Sequence, residues 1–192
     1  METAVTDIHH DLVEQCRQHN RDAQMKLYRL YAKAMFNVSL RIVNDVALAE
    51  DVMQDSFIEA FDKIGSFRGE GTFGSWLKKI VVNRSINALR QLQPMVNIED
   101  LGIDPGDDRY LKEDHSENLF YRLEEIRTAM EKLPDAYRII LSLHLLEGYD
   151  HEEIAGILDT SYGNVRTRYS RAKKKLLHII MQTREIKRKR KE

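Results

Sequence analysis

Apolar residues recur at three- and four-residue spacing in two long stretches of the chain, separated by a polar and acidic one. In the first stretch Leu12, Val13 and Cys16 mark a short amphipathic helix. A second helix is predicted from Asp22, with Met25, Leu27, Tyr28, Tyr31, Met35, Val38, Leu40 and Ile42 near helical spacing. Asp45 suits the N-cap of a third, because its side-chain oxygen can accept from the free amides of an opening turn. Leu48, Val52, Phe57, Phe61 and Ile64 supply the apolar stripe of that helix. Gly65, Gly69, Gly71 and Gly74 then break the period, which predicts a loop centred on residues 66–72. Trp76, Leu77, Ile80, Val81, Ile86 and Leu89 resume a helix that runs to about Leu92.

The second stretch begins near Phe120. Phe120, Leu123, Ile126, Met130 and Leu133 predict a helix that stops at Pro134, and residues 136–146 predict another, ended by Gly148. Asp150 caps a short helix over 151–158, and residues 159–162 separate it from a longer basic helix beginning near Gly163. Between the two stretches, residues 93–119 hold two of the three prolines and eight acidic against two basic side chains, the composition of a linker. The pattern therefore predicts an all-α fold. Two small helical domains, 1–92 and 120–180, are joined by an acidic linker, 93–119, and followed by a basic tail, 181–192.

Composition narrows the function classes. With 192 residues, 42% hydrophobic and 32% charged, the chain can bury a core. Its one cysteine, Cys16, excludes an intramolecular disulfide and a Cys-based zinc site. The longest apolar run, 139–146, is interrupted by Ser142 and His144 and falls far short of the ~20 residues of a membrane helix. Residues 1–7 lack the basic and apolar blocks of a signal peptide, so a cytoplasmic protein without membrane insertion is expected. Asp104, Asp107 and Asp108 miss the spacing of a calcium loop. His151-Glu152-Glu153 lacks the second histidine of a zinc-protease helix, and no Gly-rich phosphate loop precedes a lysine. Neither a catalytic site nor a cofactor or metal is expected.

Charge changes the picture more. The net charge is only -1, yet residues 160–192 carry twelve basic and two acidic side chains. Positive charge gathered at one end is the footprint of a phosphate-binding surface. A short helix, a tight turn and a basic helix also form the helix-turn-helix pattern. With about 100° per residue, Val165, Tyr169, Ala172 and Leu176 fall on one buried stripe, and small Ala172 is expected to pack closely on Ile154, Ala155 and Leu158. Arg166, Thr167, Ser170, Arg171 and Lys174 face outward. A recognition helix needs base-reaching side chains near its N-terminus, and Asn164, Arg166, Thr167 and Ser170 fit that demand. Arg171 reaches bases or phosphate, while Lys174 with Lys173 and Lys175 would hold phosphates. A solvated basic face on an ordinary core helix is the plainer alternative.

Three segments then make a family recognisable: Ala49-Glu-Asp-Val-Met-Gln-Asp-Ser-Phe57, the loop Phe67-Arg-Gly-Glu-Gly-Thr-Phe73, and residues 76–90. In this order they resemble region 2 of the extracytoplasmic-function (group IV) sigma factors of bacterial RNA polymerase. Leu133-Pro-Asp-Ala-Tyr-Arg138 and residues 149–177 resemble region 4 of the same family. The resemblance implies an alternative sigma factor that binds polymerase core, recognises the -35 and -10 promoter elements and promotes DNA melting. It places Glu50, Asp51, Gln54, Asp55 and Phe57 against the clamp helices of the polymerase largest subunit. Phe67, Arg68, Lys79, Asn83, Arg84 and Asn87 would meet the -10 element as duplex opens to non-template single strand, and the second helical domain would meet the -35 duplex. Asn83 and Asn87, four apart, share a helical face and can each bond a base edge. The resemblance further implies the flap of the second-largest subunit and a cognate anti-sigma factor as partners. An autonomous repressor using the same helix-turn-helix is the competing reading; it would bind duplex without polymerase and normally as a dimer.

Overall fold

The computed structural model describes residues 9–92 and 119–189, and the chain divides into two compact units, Met1–Pro94 and Met95–Glu192. Among the described residues every regular element is helical. The expected linker, 93–119, lies outside the described residues up to 118, and so do the aspartates weighed as a calcium loop.

The first unit holds α1 (His10–Arg17), α2 (Arg21–Val43), α3 (Val46–Asp62), a 3-10 turn (Ile64–Ser66) and α4 (Phe73–Leu92). Polar caps set its corners. Asn20 accepts from the Ala23 amide at 3.1 Å to open α2, and Asp45 accepts from the Leu48 amide at 2.8 Å to open α3. Between them Asn44 takes the left-handed conformation, so two long helices join through a two-residue corner. Leu27, Met35, Val38 and Ile42 from α2, Val52, Phe57 and Ala60 from α3, and Leu77, Val81 and Ile86 from α4 form the core. The Ser39 and Ser85 hydroxyls share a hydrogen bond at 3.1 Å within that core, and Ser85 donates to the Val81 carbonyl, so no buried hydroxyl there is left unpaired. Met25, expected in the apolar stripe of α2, is half exposed instead.

Helix α4 starts at Phe73 rather than near Trp76. Thr72 is the reason: its hydroxyl accepts from the Ser75 amide at 3.1 Å, which caps the helix three residues earlier than the apolar period indicates. Phe73 is thereby fully buried, with Tyr31, Phe67 and Trp76 around it at ring-centroid distances of 5.5, 6.1 and 5.8 Å.

The second unit holds α5 (Leu119–Glu131), α6 (Asp135–Leu141), a π-helical turn (Ser142–Leu146), α7 (His151–Leu158) and α8 (Tyr162–Lys189). Leu133, Tyr137, Leu141 and Ala172 form its central cluster, with Met130, Tyr169, Leu176 and Ile179 packed on it. The cluster that closes on Ala172 is thus built from α6 and the turn before it, not from the α7 residues expected to receive it. Arg138 is buried at that turn, donating to the Leu133 carbonyl at 3.3 Å and pairing with Asp135 at 2.7 Å. The single helix expected over 136–146 is instead an α-helix continued by a π turn, where the Glu147 amide reaches back to the Ser142 carbonyl at 3.0 Å. Leu123 and Ile126, expected on the buried face of α5, are exposed.

Candidate nucleic-acid interface

The turn between α7 and α8 is built from short polar side chains. Asp150 accepts from the Glu152 and Glu153 amides, and Glu153 accepts in return from the Asp150 amide at 2.9 Å, a complete capping box. At the other end of α7, Asp159 adopts φ 52°, a conformation that Asp tolerates better than most residues. The Thr160 amide then closes on the Ala155 carbonyl at 3.0 Å. Ser161 caps α8 by accepting from the Asn164 amide at 3.2 Å. Asp159, Thr160 and Ser161 together fix the direction in which α8 leaves α7.

On α8 the expected division of faces is observed. Val165 and Ala172 are fully buried, and Tyr169 and Leu176 are partly buried. Asn164, Arg166, Thr167, Ser170, Arg171 and Lys174 are all exposed. Arg166, Thr167, Ser170, Arg171 and Lys174, with Gly163, line one open surface depression. The Asn164 amide nitrogen lies 3.3 Å from the Thr160 hydroxyl, so this side chain also ties the turn together.

An aromatic support that sequence reasoning missed lies under the same helix. The His144 and His151 rings stack at 4.6 Å, and Tyr169 packs on them at 4.7 and 5.0 Å. His144 Nδ1 lies 2.8 Å from the Tyr149 carbonyl, whereas His151 Nε2 is buried without a hydrogen-bond partner among the described residues. Burial, then the adjacent His144, hold the His151 imidazole below its ordinary value. The Tyr149 phenol, also buried, is pushed up to about 12. Two histidines and a tyrosine on three different elements carry no local signal that would have grouped them.

In the first unit, Lys79, Asn83 and Asn87 are exposed and fall at four-residue intervals along α4, so they share one stripe. Arg68 is exposed in the loop 67–72, where Gly69 and Gly71 take φ values of 76° and 94° that other residues rarely adopt. Arg84 lies at the edge of the stripe: its Nη1 pairs with Asp55 at 3.0 Å and its Nε with Glu59. Arg84 was expected on the DNA side and Asp55 on the polymerase side, and the structure brings the two together. Glu59 was missed, although its i,i+4 spacing to Lys63, which it pairs at 2.7 Å, was readable in the sequence.

Two expected contact residues are buried. Phe67 is 5% exposed, its ring packed on Trp76 and Phe73 and its carbonyl accepting from Arg17, so it supports the loop from beneath. Phe57 is 2% exposed and packs edge-on against Tyr28 at 4.9 Å, so it belongs to the core of the bundle rather than to its α3 surface. Glu50, Asp51, Gln54 and Asp55 remain exposed on α3. The basic tail expected from residue 181 is a continuation of α8 through Lys189. Among the described residues no cluster of His, Cys, Asp or Glu is arranged to hold a metal ion, and no helix is long and apolar enough to cross a membrane.

Comparison with known proteins accounts for both units. Residues 27–94 match Sigma-70 region 2 and residues 123–176 match Sigma-70, region 4. The chain is 31% identical over 170 residues to the RNA polymerase sigma-H factor of Pseudomonas aeruginosa, covering 84% of this chain and 88% of that protein. It is 33% identical over 179 residues to the ECF RNA polymerase sigma-E factor of Haemophilus influenzae, covering 88% and 93%. Among solved structures, CnrH in complex with the cytosolic domain of CnrY shares the fold at a TM-score of 0.53 and 22% identity, over 89% of this chain and 96% of that one. The sigma factor RpoE in complex with the anti-sigma factor NepR from Bartonella quintana gives the same TM-score at 24% identity, over 82% and 96%. Two regions in the family's order, with similarity over most of the length of these two relatives, settle the family: this chain belongs to the ECF sigma factors of RNA polymerase, alternative sigma factors that direct promoter-specific transcription initiation.

Proposed function

We propose that the exposed face of α8 reads the -35 element and that the α4 stripe with the loop 67–72 captures the -10 element as it opens. The observation that carries this reading is the depression on α8 lined by Arg166, Thr167, Ser170, Arg171 and Lys174. These side chains stand on the first turns of a helix whose opposite side is buried, which is where a recognition helix presents its base-reading groups. Arg166 reads a base edge, Lys174 and Arg171 hold phosphate, and Thr167 and Ser170 accept or donate at either.

On α4, Asn83 and Asn87 hold the edges of unstacked bases, while Lys79, Arg84 and the loop cation Arg68 neutralise the strand's phosphates. Unstacking costs a few kcal/mol per base, which contacts to the flipped base must offset. Glu50, Asp51, Gln54 and Asp55 on α3 face basic side chains of the polymerase clamp helices, and the second unit meets the flap. On this reading residues 1–92 dock and open, and 120–180 read upstream. The protein acts in the cytoplasm, without catalysis of its own, and an anti-sigma partner, as NepR is for RpoE, covers its polymerase-binding surfaces.

The test is DNA binding and run-off transcription on genomic promoter fragments, with and without purified core polymerase. Specific binding and initiation only with core present is expected. Tight sequence-specific duplex binding by the chain alone, with no core-dependent initiation, would overturn the reading and favour a repressor.

A further inference from the structure

One side chain touches both the DNA-facing stripe of α4 and the polymerase-facing stripe of α3. Arg84 follows Asn83 by one residue, about 100° around the helix, and so leans from the edge of the asparagine stripe toward α3. Two carboxylates one turn apart receive it: Asp55 on Nη1 at 3.0 Å, and Glu59 on Nε. Their surroundings differ. The Asp55 side chain is 60% exposed, and no second partner is seen for it among the described residues. Glu59 is 24% exposed, also receives Lys63 at 2.7 Å, and is held below the usual carboxylate range by the hydrogen bonds from Lys63 and Arg84.

We propose that Glu59 is a positioning residue that keeps the Arg84 guanidinium at the edge of the DNA-facing stripe, and that Asp55 is an exchangeable cover on the same guanidinium. When a polymerase cation takes Asp55, Nη1 of Arg84 is released toward a DNA phosphate while Nε stays on Glu59. The proposal rests on the reading of α3 and α4 given above. An ion pair as exposed as Asp55–Arg84 is weak, so a competing cation can remove one partner at little cost. The more sheltered Glu59, shared with Lys63, is the harder of the two to displace. Docking and DNA contact are then coupled through a single side chain: the free chain holds one of its strand-binding cations covered, and the holoenzyme uncovers it. Because a phosphate contact is blind to sequence, the effect is the same on any single strand.

The experiment titrates the full-length chain, without polymerase, onto a fluorescein-labelled single strand of mixed sequence about 15 nucleotides long. Asp55→Asn is expected to tighten binding about threefold, the scale set by one exposed ion pair. The gain should disappear in the Arg84→Ala background. It should also be absent from Asp62→Asn, which removes a carboxylate from the same helix without any contact to Arg84. With saturating core polymerase, Asp55→Asn should give no further gain, because polymerase already occupies Asp55. Glu59→Ala should weaken single-strand binding by the holoenzyme and Glu59→Gln, which keeps the acceptor, should restore most of it. An unchanged Asp55→Asn, a gain that survives Arg84→Ala, or an equal gain from Asp62→Asn would overturn the proposal. Lys79→Ala and Asn87→Ala separate the levels. If they weaken single-strand binding by the holoenzyme while the Asp55–Arg84 cycle is flat, only this coupling is wrong. If they change nothing, α4 is not the strand-binding face and the coupling falls with it.

Discussion

One oxygen of Glu125 on α5 accepts from both Nε and Nη2 of Arg184, at 3.0 and 2.9 Å, across fifty-nine positions of sequence. Lys187 approaches the other oxygen at 3.8 Å. The two cations are largely solvated but Glu125 is only 16% exposed, so the pair lies above the weakest surface ion pairs. Glu125→Ala is expected to cost about 1 kcal/mol. Urea unfolding of the full chain measures it, and the difference from wild type should shrink as salt is raised.

Arg166→Ala should relax discrimination at one position of the upstream element by ~1–3 kcal/mol, the worth of one bidentate base contact. Lys174→Ala should weaken all upstream sequences alike. Competition among single-base variants of a -35 element, with holoenzyme, tells the two apart, and unchanged preference would remove Arg166 from the reading face.

For Asn87→Ala the expected outcome is slower or less complete promoter opening with unaltered affinity for core polymerase. Permanganate footprinting of the open region, beside a core-binding titration, checks both halves.

A Cβ added at Gly74 would lie 2.7 Å from Tyr31 Cε1. Alanine gains helix propensity of about 1 kcal/mol over glycine, but overpacking a filled site costs about 1–3 kcal/mol. The Tyr31 ring packs on Phe73 at 5.5 Å and on His9 at 5.6 Å and has limited room to give way. Gly74→Ala should therefore lower the melting temperature of the first unit, whereas Gly65→Ala, which meets nothing within 4 Å, should not suffer such a clash.

His151 is expected to make stability pH-dependent. Burial and His144 lower its pKa from 6.5, Asp150 raises it and Arg166 lowers it again, with the first two largest. Since the folded-state value is the lower one, the unfolded chain takes up the proton more readily. Stability contributed by the neutral ring is complete above about 6.5 and is lost as pH falls from there through the folded-state value. His151→Gln should flatten the fall in unfolding free energy as pH drops below about 6.5. Equal slopes in the two proteins would remove His151 as the source.

Much of the helical order was legible because it is local. Asp45 and Asp150 announce their caps, and the 3.6-residue period separates Val165 and Ala172 from Arg166 and Ser170 without tertiary information. What escaped depends on contacts far apart in sequence. Phe67 sits among glycines and reads as a loop aromatic, yet Phe73 and Trp76 receive its ring. Leu123 and Ile126 have helical spacing, but the buried positions of this segment are Ala129 and Leu133, and Leu133 clusters with Tyr137 and Leu141 of α6 and Ala172 of α8. The charged run after Thr183 has the composition of a solvated tail. Its helical continuation is seen with Thr183 bonded back to the Ile179 carbonyl at 2.8 Å and Arg184 seated on Glu125, a pairing no local window contains.

Helix α8 is unbroken from Tyr162 to Lys189, and this makes it a lever. Arg166 and Arg184 lie eighteen residues apart on it, about 27 Å along the axis. A tilt of only about 7° about the Arg184 end would sweep Arg166 through roughly 3.3 Å, the rise of one base-pair step. On the proposed reading of α8, the pairing of Arg184 with Glu125 at one end of the helix would therefore help set the aim of Arg166 at the other.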